Sequence, residues 1–139
     1  MPANTSPIFS IAGEIQWAHN VSVANNTGDL TSGTIYSVFT GGTNGSYVQK
    51  IRFRHTGANS AAVVARVWVN NGGVTTTAEN NTLFDEITVA ANATFTTNAA
   101  SINYELPLGF VLPTNYRIYV TIGAGAAGGI DVSVIGGDY

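Results

Sequence analysis

Cysteine is absent from this chain of 139 residues, so no disulfide staples the fold and no thiolate can hold a metal. Charge is scarce too. Only 9% of residues are Asp, Glu, Lys or Arg, against about 25% in an ordinary globular chain. The net charge of −3 and a pI near 5.0 lack the basic excess of a general nucleic-acid binder. No apolar run approaches the ~20 residues of a membrane span. "MPANTSPIFS" at the start has no basic segment followed by an apolar stretch, so no secretory signal is expected. Synthesis in a host cytoplasm is the corresponding expectation. Helical periodicity is missing as well.

Short β-rich runs punctuated by Gly and Asn fill the chain instead. They are Gly13 to Val23, Gly33 to Thr40, Ser46 to Gly57, Ala61 to Gly73, Asn81 to Ala90, Ala93 to Leu106, Asn115 to Gly123 and Gly129 to Tyr139. Pro107 and Pro113 are expected between strands, where the missing N–H does no harm. Eight strands predict a single all-β domain, a jelly-roll-like antiparallel sandwich over residues 13–139, with residues 1–12 as an extended N-terminal arm. An immunoglobulin-like or fibronectin-like sandwich is the nearest alternative. With apolar residues at 45%, a chain of this length can bury a core between two sheets.

Chemistry finds little to work with. His19 and His55 are the only histidines, and no Gly-x-Ser-x-Gly elbow or Gly-Lys-Ser/Thr phosphate loop occurs. His19 shares the parity of Ile15, Trp17 and Val21 and reads as a core or interface residue. Asp85 and Glu86 are adjacent in a strand, where neighbours point to opposite faces, so they make a poor acid–base pair. No metal-ligand spacing is present. The expectation is therefore a protein that is not an enzyme and has no metal or cofactor.

Two features suggest binding. In "QKIRFRH" (residues 49–55), Lys50, Arg52 and Arg54 hold three of the chain's five positive charges. Parity sends Ile51 and Phe53 inward, with Tyr47 and Gln49 continuing that set, and puts the cations in an outward row roughly 7 Å apart. The row is either a docking surface for acidic residues or a solvated face that protects the sheet. Too few further cations exist for a nucleic-acid groove. In the next strand Val63, Ala65, Val67 and Val69 form a core face, leaving Arg66 and Trp68 outside, as at interface hot spots. Trp68 could pack on a neighbouring subunit or stack on a sugar, with Tyr36 and Tyr47 as further platforms. A loop covering the Trp is the plain alternative.

"NNTLFDEITV", "INYELPLGFVLPTNYRIYVTIG" and the closing "GIDVSVIGGDY" resemble a group of small proteins encoded in tailed-bacteriophage genomes. The resemblance covers Ile51 to Tyr139 and is best at the end. It implies a virion structural protein similar to jelly-roll capsid cement or decoration proteins, which bind capsid surfaces, often as trimers. The implied partners are a major capsid protein and further copies of the chain, with no nucleic acid and no membrane. The implied location is the capsid surface of a virion. A carbohydrate-binding module, or another tail or head-fibre component, remains the alternative, with a glycan as its partner. Lys50, Arg52, Arg54, Arg66 and Trp68 are the interface candidates.

The face assignment has a direct check. Val67→Asp puts a charge in the expected core and is expected to cost at least about 3 kcal/mol. Arg52→Ala is expected to cost less than about 1 kcal/mol. Urea denaturation of the two variants measures both, and the opposite order would invert the faces.

Overall fold

A computed structural model describes residues 10–93, 95 and 98–139. Eight strands follow in chain order: β1 (Ala12–Val21), β2 (Tyr36–Thr40), β3 (Ser46–His55), β4 (Val63–Asn70), β5 (Asn81–Val89), β6 (Tyr104–Leu112), β7 (Arg117–Ile122) and β8 (Ile130–Asp138). The one other regular element among the described residues is a 3-10 turn at Ala78–Asn80. Two antiparallel four-stranded sheets result, sheet A in the order β1-β8-β3-β6 and sheet B in the order β2-β7-β4-β5. Apart from β4 and β5, consecutive strands lie in opposite sheets. This is the jelly-roll arrangement that the strand count suggested. The expected N-terminal arm falls mainly outside the described residues. Ile11 N–H already donates to Asp138 C=O, and β1 begins one residue later.

The core lies between the sheets because each strand turns one apolar parity inward. Ile51, Phe53, Val132 and Val134 of sheet A meet Phe39, Ala65, Val67, Ile118 and Val120 of sheet B in one buried cluster. Alternation breaks where the register shifts. In β3 the shift falls between Val48 and Lys50, against both β6 and β8. Val48 is therefore buried while Tyr47 is open to solvent. The expected inward parity of Tyr47 and Gln49 is overturned by this bulge. Opposite it in β6, Gly109 sits at φ 66°, a left-handed conformation that glycine takes without strain.

Pro107 is not between strands but inside β6, paired across from Lys50. Its missing N–H is tolerated because β6 is the edge of sheet A. The segment expected as a strand from Ala93 to Leu106 enters the sheet only at Tyr104.

The flank carrying edges β1 and β2 is clasped by one side chain. Gln16 Nε2 donates to Thr40 C=O at 3.1 Å, and Thr40 N–H donates to Gln16 Oε1 at 2.9 Å. Gln16 thus points between the sheets, and the opposite parity of β1 (Ile15, Trp17, His19) faces out. Sheet B has a cover on its outer side, the 22–35 connection. Asn25, nearly buried, organises it by donating to Ser32 and Thr34 carbonyls and accepting from Thr27 N–H. Asn26 Nδ2 donates to Gly123 C=O, and Asn81 Nδ2 donates to Asp29 C=O, tying the connection to the sheet.

Trp68 and Leu30 are buried yet stand apart from the inter-sheet cluster. Leu30 lies on the covering connection, and Trp68 lies on the outer side of β4. Leu30→Ala is expected to cost about 2 kcal/mol and to shift Trp68 fluorescence to the red as water reaches the indole. Urea denaturation and emission spectra check both effects together.

Candidate functional site

The basic row takes the side that parity predicts, on the outer face of sheet A. Its charge, however, is largely answered from within. Glu105 of β6 accepts from Lys50 Nζ at 3.1 Å through Oε2 and lies 3.1 Å from Arg52 Nε through Oε1. Asn103 Nδ2 donates to the same carboxylate at 2.9 Å. That amide, followed by Lys50, holds the Glu105 carboxyl below its ordinary value. Arg54 differs. It reaches only Ser101 C=O, at 3.4 Å, and makes no ion pair among the described residues.

The sheet register places other functional groups beside this row. Trp17, Ser133, Arg52 and Glu105 lie in line across β1, β8, β3 and β6. Ile15, Ile135, Lys50 and Pro107 form the next line, and Arg54 pairs across from Asp131. His19 Nδ1 lies 2.7 Å from Asp131 Oδ1, and Asn20 N–H donates to the same oxygen at 3.0 Å. A half-open cleft of about 240 Å³ is lined by Arg52, Arg54, His55, Thr56, Asp131 and Ser133. His19 is an exposed partner of Asp131, so the core reading of this histidine is overturned. Trp17 is 66% exposed. Parity had grouped it with Ile15, His19 and Val21, a set read as core or interface. The clasp on Thr40 is what lets Gln16 face inward.

His55 is nearly buried, and its partners assign both ring nitrogens. Nε2 donates to Ala90 C=O at 2.9 Å, while Nδ1 accepts from the Asn59 amide at 2.8 Å. Asn59 also receives Gly128 N–H and exchanges backbone hydrogen bonds with Asn92. This end of the sandwich is a structural knot.

Sheet B receives the second pair of candidates. Arg66 Nε donates to Glu86 at 2.8 Å, and its Nη1 donates to Asn26 at 2.9 Å. Trp68 points outward as expected but is only 2% exposed, and its Nε1–H donates to Thr121 Oγ1 at 3.0 Å. A side chain so covered presents no surface to a subunit or a sugar. Tyr36 is also engaged, its hydroxyl accepting from Ser22 and Val23 N–H. Trp68 is thus a buried anchor, and the covering loop is the reason. Tyr47 keeps an accessible ring.

Sequence reasoning missed the opposite flank, where edges β5 and β6 meet. Phe84 and Phe110 contact edge to face with ring centroids 4.9 Å apart. They line an apolar groove of about 250 Å³ with Val69, Thr82, Val111, Leu112, Pro113 and Tyr116. Leu83, Phe84 and Val111 are exposed. Thr82 to Glu86 of β5 are exposed on both parities, a pattern that alternation in one sequence cannot announce. No group of three or more His, Asp or Glu that could hold a metal ion occurs among the described residues. No helix among them is long and apolar enough to cross a membrane.

No family model and no curated protein matches the chain. Among solved structures, it is similar to a chain of the T13 IBDV viral particle, at 17% identity and a TM-score of 0.34 over 97% of this chain and 35% of that one. A chain of the infectious bursal disease virus Gt strain gives 17% identity and a TM-score of 0.31, over 98% and 36% respectively. This chain therefore spans about a third of the length of those viral chains. A superposition this loose carries nothing further.

The Lys50–Glu105–Arg52 cluster has a titration signature. A lowered carboxyl contributes stability above its unfolded value and loses it as pH falls through the folded value. Asn103→Ala is expected to move the Glu105 midpoint upward, toward the ordinary range. NMR titration of the side-chain carboxyl measures it, and an unmoved midpoint would remove Asn103 as the leading cause.

Proposed function

We propose that the chain is a virion structural protein, a capsid decoration (cement) protein that works as a homotrimer and binds the outer capsid surface beside the major capsid protein. The observation that carries this reading is the open β5–β6 flank. Leu83, Phe84 and Val111 are exposed there around the Phe84–Phe110 groove. Exposed apolar patches of this kind mark association surfaces, and an unpaired edge strand offers backbone groups to a neighbour. The occupant is a second copy of the chain. With a net charge of −3 spread over 139 residues, copies meet little electrostatic resistance.

The resemblance of the C-terminal segments to phage virion proteins supports the same reading. So does a jelly roll whose binding surface is a flank rather than a catalytic pocket. Many weak contacts summed over a shell hold well without a strong single interface. The cations of β3 now take a smaller part, because Glu105 already engages Lys50 and Arg52. The chain acts by assembly and not as an enzyme.

Sedimentation or size-exclusion with light scattering at high micromolar concentration is expected to show a trimer. Phe84→Asp is expected to shift it at least tenfold toward monomer and to weaken binding to particles that lack the protein. A monomeric wild-type chain that leaves such particles bare would overturn the assignment.

A further inference from the structure

We propose that the outer face of sheet A between Trp17 and Arg54 is a binding site for an acidic sugar, a glycan unit bearing a carboxylate. The site is separate from the β5–β6 flank and stands independently of the assembly reading.

Trp17 is the first observation. The other tryptophan is 2% exposed, while this one lies 66% open on an edge strand. A flat indole left in water forgoes the gain of burial, and it offers a face on which a sugar ring can stack. Ile15 flanks it on the same outward parity of β1.

The second observation is the free valence of Arg54. Lys50 and Arg52 are held by Glu105, whereas Arg54 makes no ion pair among the described residues. Its planar fork of donors fits a carboxylate in two parallel hydrogen bonds. It lines the cleft of about 240 Å³ with Asp131, Ser133 and Thr56, whose oxygens can serve sugar hydroxyls. Asp131 is pre-oriented for that task by His19 and Asn20 N–H.

Spacing joins the two. Trp17 lies across from Ser133, and Ser133 across from Arg52. Two strand spacings put the indole about 10 Å from the arginine strand. A short oligosaccharide spans that distance, stacking one ring on Trp17 and presenting its acid to Arg54. Charge favours this class over nucleic acid. Lys50, Arg52 and Arg54 face Glu105 and Asp131, three cations against two carboxylates. One net positive charge suits a single carboxylate and not a run of phosphates.

The test titrates the full chain with 3′-sialyllactose, a hyaluronan tetrasaccharide and lactose, read by calorimetry and saturation-transfer NMR. Sialic and glucuronic acid are the two sources of the carboxylate, and the first two probes separate them. At least one is expected to bind at millimolar concentration or better, about tenfold more tightly than lactose. The same sugar is expected to shift Trp17 emission to the blue. Trp17→Ala and Arg54→Gln, both at exposed positions, are each expected to weaken binding about tenfold with unchanged thermal midpoints. Lactose binding as tightly as the acids, or unchanged affinity in both variants, would overturn the proposal. So would the absence of binding by all three sugars. Trimer formation and particle binding do not depend on any of these outcomes.

Discussion

Pairing of β8 on both of its edges is the constraint on which the rest of the molecule depends. β8 lies between β1 and β3, and its inward residues Val132 and Val134 stand in the centre of the core. Without it, sheet A would have no contact between its first strand and the remaining two. The Gln16 clasp, the Asp131–His19 pair and the Trp17–Ser133–Arg52 line all exist because β8 fixes β1 against β3 in one register. Contacts this distant in sequence close large loops, so the entropy of closure must be met before sheet A can form.

The two flanks of the sandwich are built differently. Gln16 closes the β1–β2 side by bonding across the sheets to Thr40. The β5–β6 side is held by an aromatic contact, with Thr82 to Glu86 of β5 exposed on both parities. A hydrogen-bonded clasp needs nothing further, whereas an apolar seam gains by being covered. The proposed association on the β5–β6 side would leave the Trp17 face of sheet A accessible.

Much of the fold was legible because most strands alternate with period two and end at Gly, Asn or Pro. Seven of the expected runs overlap strands closely, and the eighth was displaced by Pro107, whose tolerance at an edge depends on sheet order. Sequence left the Ile15–Trp17–His19 parity of β1 as core or interface, and the partner of Gln16 on β2 is what turns that parity outward. The outward direction of Trp68 followed from alternation, but its cover comes from a connection more than thirty residues earlier. The outward cations were visible, and the engagement of Lys50 and Arg52 by Glu105 was not, because that carboxylate arrives from another strand. Phe84 and Phe110 meet only once both sheets are formed, so no local pattern could reveal the groove.

Amides carry much of the tying that charges do in other proteins. Gln16, Asn26, Asn59 and Asn81 each bridge segments distant in sequence through neutral hydrogen bonds. Neutral bonds of this kind are not screened by dissolved ions, unlike paired surface charges, whose attraction fades beyond about 10 Å at 0.1 M salt. Few ion pairs remain to be weakened. The fold therefore leans little on ion pairs that dissolved salt could weaken.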